Sequence, residues 1–246
     1  MVGVLIGMIG IIVIFQMLDV SEKRKRTTGA GADAQISGTM ALYSLERDLR
    51  LAGLGFGMAA SSTFGSLLGC SVSIYDGNSP TQSLNQRLSP VVITNGADGA
   101  PDTLTVWWGN PVRQPAAIAF SASTDTSKFT GNRNGIEMGE LLVAGFGSNC
   151  HLLEVTNNTN VDGSTINHES GAAYTDFNGV ARTARFNKSG GWSMSFSQGY
   201  LFNLGLNPQL TTWQVSDAQL TKADALRNGT AATVAEGIID LQAQYG

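Results

Sequence analysis

The stretch NTNVDGSTINHE, Asn158 to Glu169, has the residue types and spacing of a calcium-binding loop. Asn158, Asn160 and Asp162 stand at alternate positions where oxygen ligands are needed, Gly163 falls at the sharp turn, and Glu169 takes the place of the bidentate carboxylate. Asn rather than Asp at the first position lowers the negative charge facing a cation, and no flanking helices are expected. A polar turn between two strands is therefore the alternative reading. Calcium is the only cofactor the sequence suggests. Glu137 and Glu140 have the makings of an acid pair for glycoside hydrolysis, which requires a cleft, or they lie on a solvated turn. His151 and His168 are the two histidines, and no GxSxG elbow is present. GFGMAA, Gly55 to Ala60, fits the GxGxxA dinucleotide pattern but follows a helix where that motif must follow a strand. No residue is assigned a catalytic role, and the chain is not expected to be an enzyme.

Cys70 and Cys150 are the two cysteines, with no CxxC or CxxCH spacing to suggest zinc or haem. They form one disulfide closing a long loop, in an oxidising compartment, or they are two buried thiols. Charged residues make up 14% of the chain and the net charge is −4, below the roughly 25% charged residues of ordinary soluble domains. Gly, Ser, Thr and Asn are abundant instead. The basic residues concentrate at Lys23, Arg24, Lys25 and Arg26, so nucleic acid is not an expected partner. Asp19 and Glu22 are the natural partners of that cluster. Sequons at Asn157, Asn187 and Asn228 mark turns that could carry sugar.

What must position these residues is a long helix followed by strands. From Met1 to Leu18 only Gln16 is conspicuously polar, about the length of a membrane span. A signal peptide would place basic residues before the apolar run and small residues after it, so this segment is expected to be retained. Gly3, Gly7 and Gly10 line one strip of a helix, with Ile14 a turn further on, and the GxxxG spacing of Gly3 and Gly7 permits close helix approach. Beside them the β-branched run IIVIF predicts that the helix departs from α geometry somewhere between Gly7 and Phe15 once it is packed in a polymer. No proline precedes Pro80. Ile36, Met40 and Tyr43 fall on one helical face and Leu42, Leu45, Leu49 and Ala52 on a neighbouring one, predicting a continuous helix to about Ala52. Beyond it, PVVIT, DTLTVWWG, GELLVAGF, CHLLEVTN, GWSMSFSQ, GYLFNLGL, TTWQVSD and GIIDLQAQY read as strands of an antiparallel sheet. The expected fold class is α+β: a helix over 1–54, with 1–18 in a membrane or filament core, and a β-rich head over 55–246.

This arrangement resembles a type IV pilin, and specifically the PilW-like pilins, relatives of the pseudopilins of type II secretion. The resemblance is carried by MVGVLIGMIG, LYSLERDLRLAGLGFG, GADGAPDTLTVWWGN, GELLVAGFGSNCHLLEVTN and VAEGIIDLQAQYG, in that order. It implies a prepilin whose short basic leader is removed, and a mature chain opening on Phe with a Glu close behind. Neither feature is visible, so the sequence is expected to begin inside the processed protein and to stop short of its end. That expectation also reconciles the basic cluster after the apolar run, which by itself would keep the head in the cytoplasm.

The resemblance implies a pilin, in this family usually a minor component that starts or caps a pilus, while the long amphipathic, proline-free helix with glycines on one side leads to the expectation of a structural subunit of an extracellular filament. Its packing residues would be Gly3, Gly7, Gly10, Ile14, Ile36, Met40, Tyr43, Leu45 and Leu49. Its partners would be copies of itself, other pilins, the assembly machinery, and the inner membrane before assembly. A minor pilin or pseudopilin that primes or caps a filament, and an anchored binding domain that never polymerises, are the alternatives.

Overall fold

The computed structural model describes residues 2–56, 67–78, 83–113, 116–133, 135–157, 163–192, 196–227 and 229–246, apart from the side chains of Val2, Val4, Leu5 and Ile9. Helix α1 runs unbroken over Val2–Leu51, 50 residues, or about 75 Å at 1.5 Å per residue. Three pairs at i,i+4, each with the acid N-terminal, brace its surface: Asp19–Lys23 at 2.7 Å, Glu22–Arg26 at 3.4 Å and Glu46–Arg50 at 2.5 Å. Gly53, at φ 83°, ends the helix in the left-handed conformation that favours glycine. Its N–H donates to the Trp107 carbonyl at 2.9 Å, which fastens the helix end to a strand of the head.

The head contains, among the described residues, β1 (Ser71–Tyr75), β2 (Ser83–Arg87), β3 (Val91–Thr94), β4 (Thr103–Trp108), β5 (Ile118–Phe120), β6 (Ala122–Ser123), β7 (Ser127–Phe129) and β8 (Leu141–Phe146). The second half adds β9 (Asn149–Glu154), β10 (Thr165–Asn167), β11 (Ala173–Thr175), β12 (Ala181–Thr183), β13 (Gly199–Gly205), β14 (Gln209–Ser216), β15 (Gln219–Asp224) and β16 (Ala231–Glu236). They form a six-stranded sheet in the order β2-β1-β9-β8-β13-β5 and a five-stranded sheet in the order β16-β15-β14-β4-β3. A three-stranded ribbon, β10-β7-β6, and the β11-β12 hairpin complete the head. The fold is α+β, as the sequence predicts. One strand pairing departs from the antiparallel expectation: β1 lies parallel to β9, with Val72 opposite Cys150.

The middle of the six-stranded sheet is buried on both faces. Leu141 and Val143 of β8 join Val72, Leu152 and Phe202 on one side, where Trp107 and Leu210 of the second sheet close the core. Leu142 and Ala144 point the other way, to Ile118, Leu153, Ile166 and Leu201. A strand covered twice reads as a continuous apolar run rather than an alternation, which is why LLVAGF stood out in the sequence. The five-stranded sheet instead receives α1, whose Ala41 and Leu45 pack with Leu104, Val106, Trp213, Leu220 and Ala235.

Two predicted strands are corrected. GIIDLQAQY lies outside any strand: Asp102 N–H donates to Leu241 O at 2.7 Å, and the Tyr245 hydroxyl accepts from Ile93 N–H at 2.9 Å. Side-chain and irregular bonds tie it beside β3 where a regular ladder was expected. In GWSMSFSQ the described residues, 191–192 and 196–198, are not strand. Short strands with few apolar residues, β2, β6, β11 and β12 among them, gave no sequence signal because hairpin partners hold them. The β14-β15 turn uses Asp217 and Ala218 at φ 52° and 57°, a pair of positive values that the tight hairpin demands and that alanine adopts at a penalty. Ala218→Gly is expected to raise stability by about 0.5–1 kcal/mol. An unchanged or lowered urea midpoint would contradict this.

Candidate functional site

Among the described residues, α1 carries a long run of exposed large apolar side chains. Along its first twenty residues Ile6, Met8, Ile11, Ile12, Val13, Ile14, Phe15, Met17, Leu18 and Val20 are exposed, with Ile14 at 60% and Phe15 at 67%. Gly3, Gly7 and Gly10 have open space where a Cβ would project, so backbone can approach that strip closely. Among the described residues no helix is long and apolar enough to cross a membrane. The helix is regular α throughout the Gly7 to Phe15 span; the predicted departure concerns the packed polymer.

Nearer the head the expected packing face divides. Ile36, Met40 and Tyr43 are exposed at 55%, 61% and 69%, and Leu42 and Leu49 also face outward. The residues that meet the head are Ala41, Leu45 and Asp48, at i, i+4 and i+7, all under a tenth exposed. Of the proposed packing residues only Leu45 is thus consumed within the chain. Asp48 was not anticipated. Its carboxylate lies 2.6 Å from Lys222 Nζ of β15, and it accepts from Trp213 Nε1 at 3.2 Å and Thr211 Oγ1 at 3.5 Å, both of β14. An acid on an otherwise apolar helical stripe is the sequence signal that would have found it, because a buried carboxylate requires partners.

The other candidates resolve into structural duties. Glu140 is buried, accepting from Glu137 N–H at 2.8 Å and Asn203 Nδ2 at 2.9 Å. Burial raises its pKa above the usual carboxylate range, against those hydrogen bonds. Glu137 pairs with Arg113 at 2.7 Å. The two acids therefore brace a turn. At Gly55 of GFGMAA a Cβ would stand 2.6 Å from Asn203 O, so glycine there permits the helix end to touch β13; residues 57–60 lie outside the described residues. So do Asn158, Asn160 and Asp162 of the calcium pattern. Glu169 is exposed, with its N–H donating to Thr156 Oγ1 at 3.0 Å. Among the described residues no group of three or more His, Cys, Asp or Glu could hold a metal.

Of the sequons, Asn187 is buried, exchanging hydrogen bonds with the Glu154 backbone at 2.8 and 2.7 Å. Asn157 likewise bridges Thr165 O and Asn167 N–H, at 2.9 and 2.8 Å. Neither amide is presented for glycosylation in the folded head; Asn228 lies outside the described residues.

Cys70 and Cys150 are bonded, across 80 residues of sequence. His151 is stacked between Trp192 and Phe196, at ring separations of 4.8 and 5.0 Å. His168 Nε2 lies 3.0 Å from the Nζ of buried Lys128, whose ammonium also donates to Thr124 O at 3.1 Å. Burial first, then Lys128, push His168 down to about 3. Burial pushes Lys128 down to about 8 against the pull of Asp125. An unfolded histidine takes its proton near 6.5, so between there and 3 the unfolded chain binds more protons and stability falls as pH falls. His168→Gln, which keeps an acceptor for Lys128, is expected to lessen the stability lost between pH 7 and pH 5 by about 2 kcal/mol. Identical pH dependence of the urea midpoint in both proteins would contradict this.

No family model, curated protein or solved structure matches the chain.

Proposed function

We propose that this chain is the structural subunit of a type IV pilus-like filament, polymerising through α1 with the β-rich head turned to solvent. The observation that carries the reading is the unpaired apolar length of α1, exposed at Ile6 and Met8, from Ile11 through Val20, and again at Ile36, Met40 and Tyr43. A surface of that extent is covered by lipid or by protein. The same segment on neighbouring copies offers a matching length of apolar helix, and the strip of Gly3, Gly7 and Gly10 gives the close approach such packing uses. Head-to-tail contact between identical subunits gives an interface that need not close, and hence an open polymer. The resemblance to PilW-like pilins supports a place in a pilus, but by itself points to a minor subunit that starts or caps the filament; the length of exposed apolar helix is what favours the repeating subunit. Before assembly the apolar segment would reside in the inner membrane.

The test is to shear filaments from cells, measure subunit stoichiometry by mass spectrometry and reconstruct the helical polymer from electron micrographs. This chain is expected to be the abundant subunit, and Ile14→Asp, which places a charge on the packed face, is expected to abolish filaments while leaving the head folded. Trace amounts beside an abundant smaller subunit would replace the shaft reading with a minor pilin. Absence from filaments, with the protein confined to membranes, would leave an anchored domain. An unbroken α-helical ladder from Gly7 to Phe15 in the polymer would contradict the predicted local unwinding.

A further inference from the structure

The head carries a cleft of about 400 Å³ beside the ends of β8 and β9 and the β11-β12 hairpin, a volume within the roughly 300–1,000 Å³ of small-molecule sites. No residue of α1 lines it. Three guanidinium groups do: Arg182, Arg185 and Arg227. Each is held from outside the lining by an acid. Arg185 grips Asp76 through Nε and Nη2, both at 2.5 Å, Arg182 Nε meets Asp176 at 2.6 Å, and Arg227 Nε lies 3.4 Å from Asp224. These pairs orient the guanidiniums and leave donors unused. Arg227 Nη2 donates to the side-chain oxygen of Gln209 at 3.0 Å; among the described residues, the two terminal nitrogens of Arg182 and the Nη1 of Arg185 and of Arg227 have no partner.

The remaining polar lining is of a different kind. Glu154 is buried, and its carboxylate accepts from the Tyr174 hydroxyl, from Arg185 N–H at 2.7 Å and from Phe186 N–H at 2.9 Å. Burial and then Glu154 push the Tyr174 hydroxyl up, so it stays a donor at ordinary pH. The apolar ring of Phe186 also lines the cleft. Fixed guanidinium donors, a carboxylate acceptor and an apolar wall in one concavity match a ring that bears a carboxylate and hydroxyls. We infer that this cleft binds a monosaccharide acid, its carboxylate against Arg182 and Arg227 and its hydroxyls toward Glu154. Planar N–H pairs suit a carboxylate. The acids behind the arginines cancel much of the long-range field, so the site selects shape over charge and binds weakly, with Kd on the order of 1 mM.

The experiment is calorimetric titration of the full chain with sodium glucuronate, with glucose and sodium sulfate in parallel, supported by saturation-transfer NMR. Saturable glucuronate binding is expected, with glucose and sulfate each at least about tenfold weaker. Arg182→Gln and Arg227→Gln should each weaken glucuronate binding about fivefold or more. Arg227, with a side chain 62% exposed, serves as the variant should Arg182→Gln disturb the hairpin. Absent glucuronate binding overturns the proposal, as does binding unchanged in the folded variants. Sulfate binding as tight as glucuronate overturns the sugar assignment. Because the cleft and α1 share no residue, normal filaments without sugar binding would overturn the cleft alone, and sugar binding without filaments would overturn only assembly.

Discussion

Replacing Cys70 and Cys150 together by alanine is expected to lower the unfolding free energy by about 4 kcal/mol. The two residues are 80 apart in sequence, and closing a loop of that size in the unfolded chain removes entropy worth between the ~3 kcal/mol of a 15-residue loop and the ~4.7 of a 100-residue loop. The position adds to the effect. The bond joins the residue preceding β1 to β9, at the parallel pairing, and β1 alone ties β2 into the six-stranded sheet. Both sulfurs are buried, and the site leaves no spare room: a Cβ added to Gly145, opposite Cys150 on β8, would stand 2.4 Å from its Sγ. Urea denaturation followed by tryptophan fluorescence would measure the loss, with the reduced native chain as a second route to the same state. A loss below about 1 kcal/mol in both would show that the unfolded chain is already constrained there.

Asp48→Ala is expected to cost about 2–3 kcal/mol and to loosen the last turns of α1 from the head. The carboxylate is 1% exposed, and removing it strands the Lys222 ammonium and the Trp213 indole N–H, while the Thr211 hydroxyl keeps the Val106 carbonyl as acceptor at 3.4 Å. Breaking a buried pair from one side commonly costs about 3–5 kcal/mol. Lys222 keeps a quarter of its side chain in water and can turn outward, so the lower figure applies. Asp48→Asn keeps an acceptor for the indole and should fall between. A double-mutant cycle with Lys222→Ala should give a coupling of at least about 1 kcal/mol, and amide exchange over residues 41–51 should accelerate in Asp48→Ala. Additive single losses, with unchanged exchange, would show that the joint rests on Leu45 and Ala41 alone. In the filament proposed above, the joint would matter beyond stability, since it would set the direction in which the head leaves the helix.

Much of the architecture was legible in the residues themselves. A proline-free run, acids four residues before bases, and glycines after Leu51 specify α1 locally, because a helix's hydrogen bonds lie within one segment. Thr103–Trp108, Leu141–Phe146 and Gly199–Gly205 were legible as strands because burial writes itself into composition. The apolar strip from Gly3 to Ile14 was legible because it is a property of one helix, independent of the head.

Tertiary structure alone decided what depends on two distant segments meeting. Ile36, Met40 and Tyr43 look as ready to pack as Leu45, but the five-stranded sheet accepts a small residue and a charge, Ala41 and Asp48, where Trp213 and Lys222 wait. The parallel β1-β9 pair could not be read from either strand, since neighbours in a sheet are chosen by the chain's path. Glu137 and Glu140, close in sequence, serve a turn, while Glu154 and Arg182, never paired by spacing, line one cleft. Side-chain chemistry is written in sequence, but the partner that gives it a role is supplied by the fold.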